Sequence, residues 1–261
     1  MKNKIILSSF WAFLVVAIFS RFFQVAFTLE YPTGFFKKGF EFVGYVSFAV
    51  IALCCVVVAF FAFKAYKGPK GAPKQNILLR SFSLVFAITL ALEIFKEKPL
   101  ETVLPWQQSA LKILGVATVC FFVAFALLNT NIFNKIKLFS VVPLMYFLVR
   151  LICCFIAISY LAITSDNVLQ IASYSMVVLF LLNFAKLYNG IESDVIFRKV
   201  LATGLISSLL LLVNAVPNII LNFAKNAFNS SVQLVSSFSF VFLAIFILVF
   251  VFSYFAPKNF E

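Results

Sequence analysis

Residues 41–63 read EFVGYVSFAVIALCCVVVAFFAF, and this stretch decides the class of fold. It carries one charged side chain, Glu41, and its length matches the ~20 residues that an α-helix needs to cross a bilayer. Similar apolar segments recur along the chain, and the full set runs over residues 5–29, 41–63, 77–95, 110–128, 138–162, 168–188, 200–221 and 232–255. The sequence therefore predicts an all-α, polytopic transmembrane helix bundle of about eight spans, with residues 1–261 forming a single integral membrane domain.

The composition supports a lipid rather than an aqueous environment. Hydrophobic residues make up 64% of the chain and charged residues 11%, whereas soluble domains carry about 25% charged residues. A net charge of +12 in a soluble protein would suggest a nucleic acid partner. Here the charges lie between long apolar runs, where they set the orientation in the membrane. We therefore expect the lipid bilayer as partner and no nucleic acid.

The connectors between the apolar segments predict which side of the membrane each one faces. If all eight segments cross, 13 of the 21 positive charges fall on one side, including the basic connector Lys64 to Lys74. The excess of Lys and Arg marks the cytoplasmic side, so both termini are predicted to be cytoplasmic in a multi-pass protein of the cell membrane. We expect Lys64 to Lys74 to contact anionic lipid headgroups. The first segment lacks a small-x-small cleavage pattern and is interpreted as a retained helix.

The residue types that are missing exclude several kinds of function. The chain contains no histidine, which rules out His-ligated haem, His-based metal sites and Ser-His or Cys-His catalysis. All five cysteines lie inside apolar runs with no metal-ligand spacing, and we interpret them as small buried hydrophobic residues. We expect no cofactor, no metal and no catalytic residues, and we regard an enzyme as less favoured than a non-enzymatic protein.

Two charged residues lie inside predicted spans that run in the same direction. Arg150 follows Lys137 by 13 residues and Glu93 follows Arg80 by 13 residues, which places each about 20 Å from the cytoplasmic edge. Because isolated charges are costly in hydrocarbon, we predict that Glu93 and Arg150 form an ion pair. The pair either pins two helices in register or lines an outward-facing polar pocket, and the sequence leaves both interpretations open.

The end of the first span carries a second polar group. Arg21 lies near the predicted outer interface, where its side chain is expected to reach water, and Gln24 shares its helix face. The connector Glu30 to Phe36 contains Pro32 and Gly34, which predict a tight turn. In the alternative interpretation Arg21, Gln24 and Glu30 form the rim of a ligand site.

The seventh span contains Asn214, Pro217 and Asn218. Pro217 removes a backbone hydrogen bond and is expected to kink or end the helix. A kinked helix with inward-facing amides is typical of transporter binding sites. In the other interpretation, which we favour, the helix ends near Asn218 and the later polar residues face water.

These polar residues all come from odd-numbered spans and can therefore meet at a similar depth. The candidate ligand-binding residues are Arg21, Gln24, Glu93, Arg150, Asn214 and Asn218. They favour a small-molecule transporter, or the membrane subunit of one, with an outward-facing polar pocket. The alternative is a non-enzymatic accessory, sensor or assembly subunit that binds a membrane protein partner, since no soluble domain or catalytic set is visible. A membrane enzyme with Glu93 as base and the arginines on phosphate is the least favoured possibility.

Overall fold

The structure is a computed structural model, and it describes residues 2–30, 35–65, 76–96, 105–128, 137–160, 164–191, 193–224 and 231–255. The described residues are helical almost throughout. The long helices are α1 (Lys2–Phe23), α2 (Glu41–Ala65), α3 (Ile77–Lys96), α4 (Pro105–Leu127), α5 (Val141–Tyr160), α6 (Ser165–Tyr188), α7 (Asp194–Ala224) and α8 (Ser231–Phe255). A π-helical turn, Gln24–Thr28, extends α1, and a 3-10 helix, Lys137–Ser140, leads into α5.

Seven of these helices are long and apolar enough to cross a membrane. They comprise all of the long helices in the described residues except α5, whose described apolar part, Val141–Ala157, is shorter. The predicted all-α polytopic bundle is confirmed, and the chain is a multi-pass membrane protein. The cytoplasmic placement of the termini stays a prediction. The predicted headgroup contact of the Lys64 to Lys74 connector lies, from residue 66 onward, outside the described residues.

Helices α4, α6 and α7 are among those that begin earlier than the hydropathy of the sequence predicts. Helix α4 begins at Pro105 rather than 110, α6 at Ser165 rather than 168, and α7 at Asp194 rather than 200. Each of their first turns contains residues suited to helix initiation. The Thr164 hydroxyl accepts a hydrogen bond from the Asn167 amide (3.4 Å), which caps α6, and proline is favoured in the first turn of a helix such as α4.

The expectation that α7 ends near Asn218 is wrong. The helix continues through the buried Pro217 to Ala224, 31 residues in all. Proline costs a helix one hydrogen bond, but the bilayer gives the freed backbone no better partner in another conformation. Contacts with α6 and α8 on both sides hold α7 in place.

Helices α3 to α8 form a closed ring, and the α1–α2 hairpin lies outside it. Each helix from α3 to α8 packs on the next, and α8 returns to pack on α3. Helices α1 and α2 pack on each other and on α7. Gly204 permits close packing within the ring, since a Cβ atom there would lie 2.7 Å from Val251 of α8 and 3.2 Å from Phe180 of α6.

Buried phenylalanine rings from four helices meet where α4 and α6 approach their last turns. Phe122 of α4 packs edge-on against Phe86 of α3 and Phe246 of α8, with ring centroids 4.7 and 5.2 Å away. Phe125 continues the cluster to Phe246 (5.8 Å) and to Phe184 of α6 (6.4 Å). These side chains are at most 1% exposed. The ring of helices is therefore closely packed with aromatic side chains at this level.

Candidate functional site

Glu93 of α3 and Arg150 of α5 form an ion pair within the ring of helices. Arg150 Nη2 contacts Glu93 Oε1, so the pairing predicted by counting residues is confirmed. Glu93 lies three residues before the end of α3, toward the end of the bundle opposite the phenylalanine cluster. Glu93 is 2% exposed and Arg150 9%, which places both charges away from the surface of the bundle. Each charge is compensated by the other, as burial requires.

Two tyrosines surround the guanidinium of Arg150. Arg150 Nη1 donates a hydrogen bond to the Tyr146 hydroxyl oxygen (2.7 Å), one helical turn earlier on α5. The Tyr146 and Tyr174 rings lie 5.8 and 5.3 Å from the guanidinium carbon, a cation–π arrangement. The sequence analysis missed both tyrosines, although the four-residue spacing of Tyr146 and Arg150 is a detectable signal. The arginine is therefore held by aromatic contacts as well as by its counter-ion.

The second carboxylate oxygen of Glu93 accepts no hydrogen bond from the described residues. Glu93 Oε2 is buried and has no hydrogen-bond partner among the described residues. Buried acceptors are satisfied in most proteins, so an unfilled one beside an arginine calls for an explanation. The backbone of α4 lies close to Tyr146, because a Cβ atom on Gly115 would lie 3.2 Å from the Tyr146 ring.

Arg21 forms a second buried cluster at the end of α1. Its guanidinium forms an ion pair with Asp166 and donates hydrogen bonds to Gln24 Oε1 and Ser165 Oγ, the latter at 3.4 Å. Arg21 is 0% exposed, so the expectation that it reaches water is wrong. Helix α6 begins beside Arg21 and provides Asp166 as its anionic partner. The Arg21 side chain therefore does not need to extend toward the membrane interface to reach water.

Gln24 ties the same cluster to α2. Its Nε2 donates a hydrogen bond to the Gly44 carbonyl oxygen (3.1 Å), while its backbone carbonyl oxygen accepts one from the Thr28 hydroxyl (2.7 Å). Gln24 begins the π-helical turn, a distortion that is frequent at functional sites. The end of α1 is thus fixed to both α2 and α6 by buried polar groups.

The connector between α1 and α2 folds back on itself. Glu30 N donates to Phe35 O and Lys37 N to Thr28 O, both at 2.8 Å. Pro32 and Gly34, on which the predicted turn depends, lie outside the described residues. Glu30 is exposed whereas Arg21 and Gln24 are buried, so the three side chains do not share one open rim.

The six candidate residues fall into separate places rather than one pocket. Arg21 and Gln24 belong to one cluster, and Glu93 and Arg150 to the other. Asn214 is buried on α7 and Asn218 is half-buried, and neither has a side-chain hydrogen bond to the arginines or to other described residues. Sequence reasoning missed Asp166, which lies in the first turn of α6, before the predicted apolar segment begins.

The described residues contain no group of three or more His, Cys, Asp or Glu side chains that could hold a metal ion. Comparisons with known proteins add no assignment. No protein-family model, curated protein or solved structure matches the chain. The functional argument therefore depends on the geometry of the two clusters and of the surrounding helices.

Proposed function

We propose that the protein is a small-molecule transporter, or the membrane subunit of one, and that the Glu93–Arg150 pair recognises a solute bearing a carboxylate or phosphate group. The observation that carries this proposal is the charge pair itself. Glu93 lies in α3, a helix of membrane-crossing length, and Arg150 lies in the shorter apolar helix α5. One Glu93 oxygen has no hydrogen-bond partner among the described residues. Charged residues inside membrane helices mark substrate pathways more often than they serve structure alone.

The chemistry of the pair suits exchange of one anion for another. The planar guanidinium of Arg150 matches carboxylate and phosphate groups, which it binds through two parallel hydrogen bonds. An anionic solute that replaces Glu93 at Arg150 leaves the arginine compensated, and the displaced Glu93 carboxylate must then move to a hydrated position, because alone it would be an uncompensated buried charge. Tyr146 and Tyr174 hold the guanidinium in place during that exchange.

The test is solute uptake into proteoliposomes. We would measure uptake of radiolabelled glutamate, citrate and inorganic phosphate by the unaltered chain and by the charge-neutral double variant Glu93→Leu/Arg150→Met. Arg198→Met, at an exposed position on α7, is the matched control. We expect the double variant to lose uptake of at least one probe that the control retains. A folded double variant that takes up all probes at the rate of the unaltered chain would contradict the site assignment.

The alternative function is a non-enzymatic accessory, sensor or assembly subunit. The observation that favours it is the close aromatic packing around Phe122 and Phe125, which occupies the space between four helices of the ring. Purification in a mild detergent followed by mass spectrometry distinguishes the two functions. A membrane protein recovered in a fixed ratio to this chain favours the accessory role, and recovery of the chain alone favours the transporter.

A further inference from the structure

An apolar groove lies between α2 and α6. Both helices pack on α7, and between them they leave a groove of about 690 Å³ whose floor includes Ile206 and Leu210. The α2 wall extends from Tyr45 to Ala59, and the α6 wall from Val168 to Met176. The groove is open to the surroundings of the helices, since wall residues such as Tyr45 are more than half exposed. It therefore faces the hydrocarbon of the bilayer.

The groove ends at the Arg21 cluster. The guanidinium carbon of Arg21 lies 6.0 Å from the ring centroid of Phe48, which is part of the α2 wall. On the α6 wall, Val168 lies two residues after Asp166, whose side chain keeps 39% of its surface exposed although it is paired with Arg21. The groove is thus apolar along its length and polar at one end, as an amphiphilic lipid is.

We propose that this groove binds one acyl chain of a bilayer phospholipid, with the headgroup at the Asp166 end. The groove cannot remain empty in a bilayer, because its lining would lose dispersion contacts and its apolar atoms offer nothing to water. A flexible chain of methylene groups fills such a space without leaving polar groups unsatisfied. This inference does not depend on the proposed transport function.

The length of the groove suits an acyl chain. From Tyr45 to Ala59 the α2 wall is about 21 Å long at 1.5 Å per residue, whereas one leaflet of the ~30 Å hydrocarbon core is about 15 Å deep. An acyl chain of one leaflet therefore fits along this wall with its headgroup at the Asp166 end. A helix from a partner or from a second copy is the competing occupant, and it would appear as an oligomer in the test.

Native mass spectrometry tests the proposal. The full chain would be reconstituted in phosphatidylcholine nanodiscs, released into a mild detergent and weighed intact. Ala52→Trp fills the groove from the α2 wall, and Ala12→Trp is the matched control, an exposed alanine on α1 outside the groove. We expect the unaltered chain and the control to retain one phosphatidylcholine per chain, and Ala52→Trp to retain at least tenfold less.

Three outcomes overturn the proposal. The first is equal lipid retention by Ala52→Trp and Ala12→Trp, and the second is no retained lipid on the unaltered chain. The third is a dimer of the unaltered chain that Ala52→Trp converts to a monomer, which assigns the groove to a second copy. If Ala52→Trp does not fold, Ala59→Trp at the other end of the groove takes its place. Cross-links from a phosphatidylcholine with a diazirine in its acyl chain provide a direct measurement, and we expect them at groove residues of α2 and α6.

Discussion

Replacement of Arg150 by methionine tests the energetic role of the buried pair most directly. The variant leaves the Glu93 carboxylate, 2% exposed, without a counter-ion in a region of membrane-crossing helices. Removing one member of a buried ion pair typically costs about 3–5 kcal/mol. The hydrogen bond to the Tyr146 hydroxyl is lost as well, at about 1 kcal/mol. We therefore expect Arg150→Met to lower the free energy of unfolding by about 4–6 kcal/mol.

The double variant Glu93→Leu/Arg150→Met behaves differently, because it leaves no charge unpaired. Buried ion pairs replaced by apolar side chains of similar volume are often neutral or stabilising. We expect the double variant to unfold within about 1 kcal/mol of the unaltered chain once the lost Tyr146 hydrogen bond is included. The resulting coupling energy between the two positions is about 3 kcal/mol or more, the upper range for residues in contact.

The assay is reversible unfolding in mixed micelles with increasing sodium dodecyl sulfate, followed by circular dichroism. Arg198→Met serves as the surface control and should change the free energy of unfolding by no more than about 0.5 kcal/mol. Additive effects of the two single substitutions would refute the reasoning, because they would show that the charges do not stabilise each other. A stable double variant also separates the two interpretations of the pair. If that variant transports solute normally, the pair only holds α3 and α5 together. If it does not, the pair is part of a solute-binding site.

Three further predictions concern the second cluster, the packing of α7 and the topology. Asp166→Asn leaves the buried Arg21 without its counter-ion and should lower the free energy of unfolding by about 3 kcal/mol in the same micelle assay. This is less than for Arg150→Met, because Gln24 and Ser165 still accept hydrogen bonds from the guanidinium. Gly204→Leu should lower it by about 2–3 kcal/mol through overpacking against α8, whereas Ala12→Leu on an exposed face should be neutral. In a cysteine-free background, a membrane-impermeant maleimide applied to intact cells should label Thr33→Cys but not Lys70→Cys, and equal labelling of both would contradict the alternating topology.

The apolar spans and the Glu93–Arg150 pair were predictable because each depends on distance along the chain. Counting 13 residues from a basic helix end fixes depth, and a lone charge at that depth needs a partner. Asp166 was not predictable in this way. Its helix starts three residues before the apolar stretch, and only the Thr164 cap marks that start. The continuation of α7 beyond Pro217 was missed for a related reason, since local propensity opposes it and contacts with neighbouring helices override that propensity.

The two members of the Arg21–Asp166 ion pair are synthesised at different times. Arg21 and its counter-ion are 145 residues apart in the chain. At about 5–20 residues per second, the ribosome completes Asp166 some 7–30 s after Arg21. During that interval the first hairpin must enter the membrane with an uncompensated arginine, which costs at most about 2.5–3.5 kcal/mol, the value for the centre of an inserted helix. Final docking of α1 and α2 therefore waits for α6, so this hairpin is inserted before the helices that it contacts and is among the last parts to reach its native contacts.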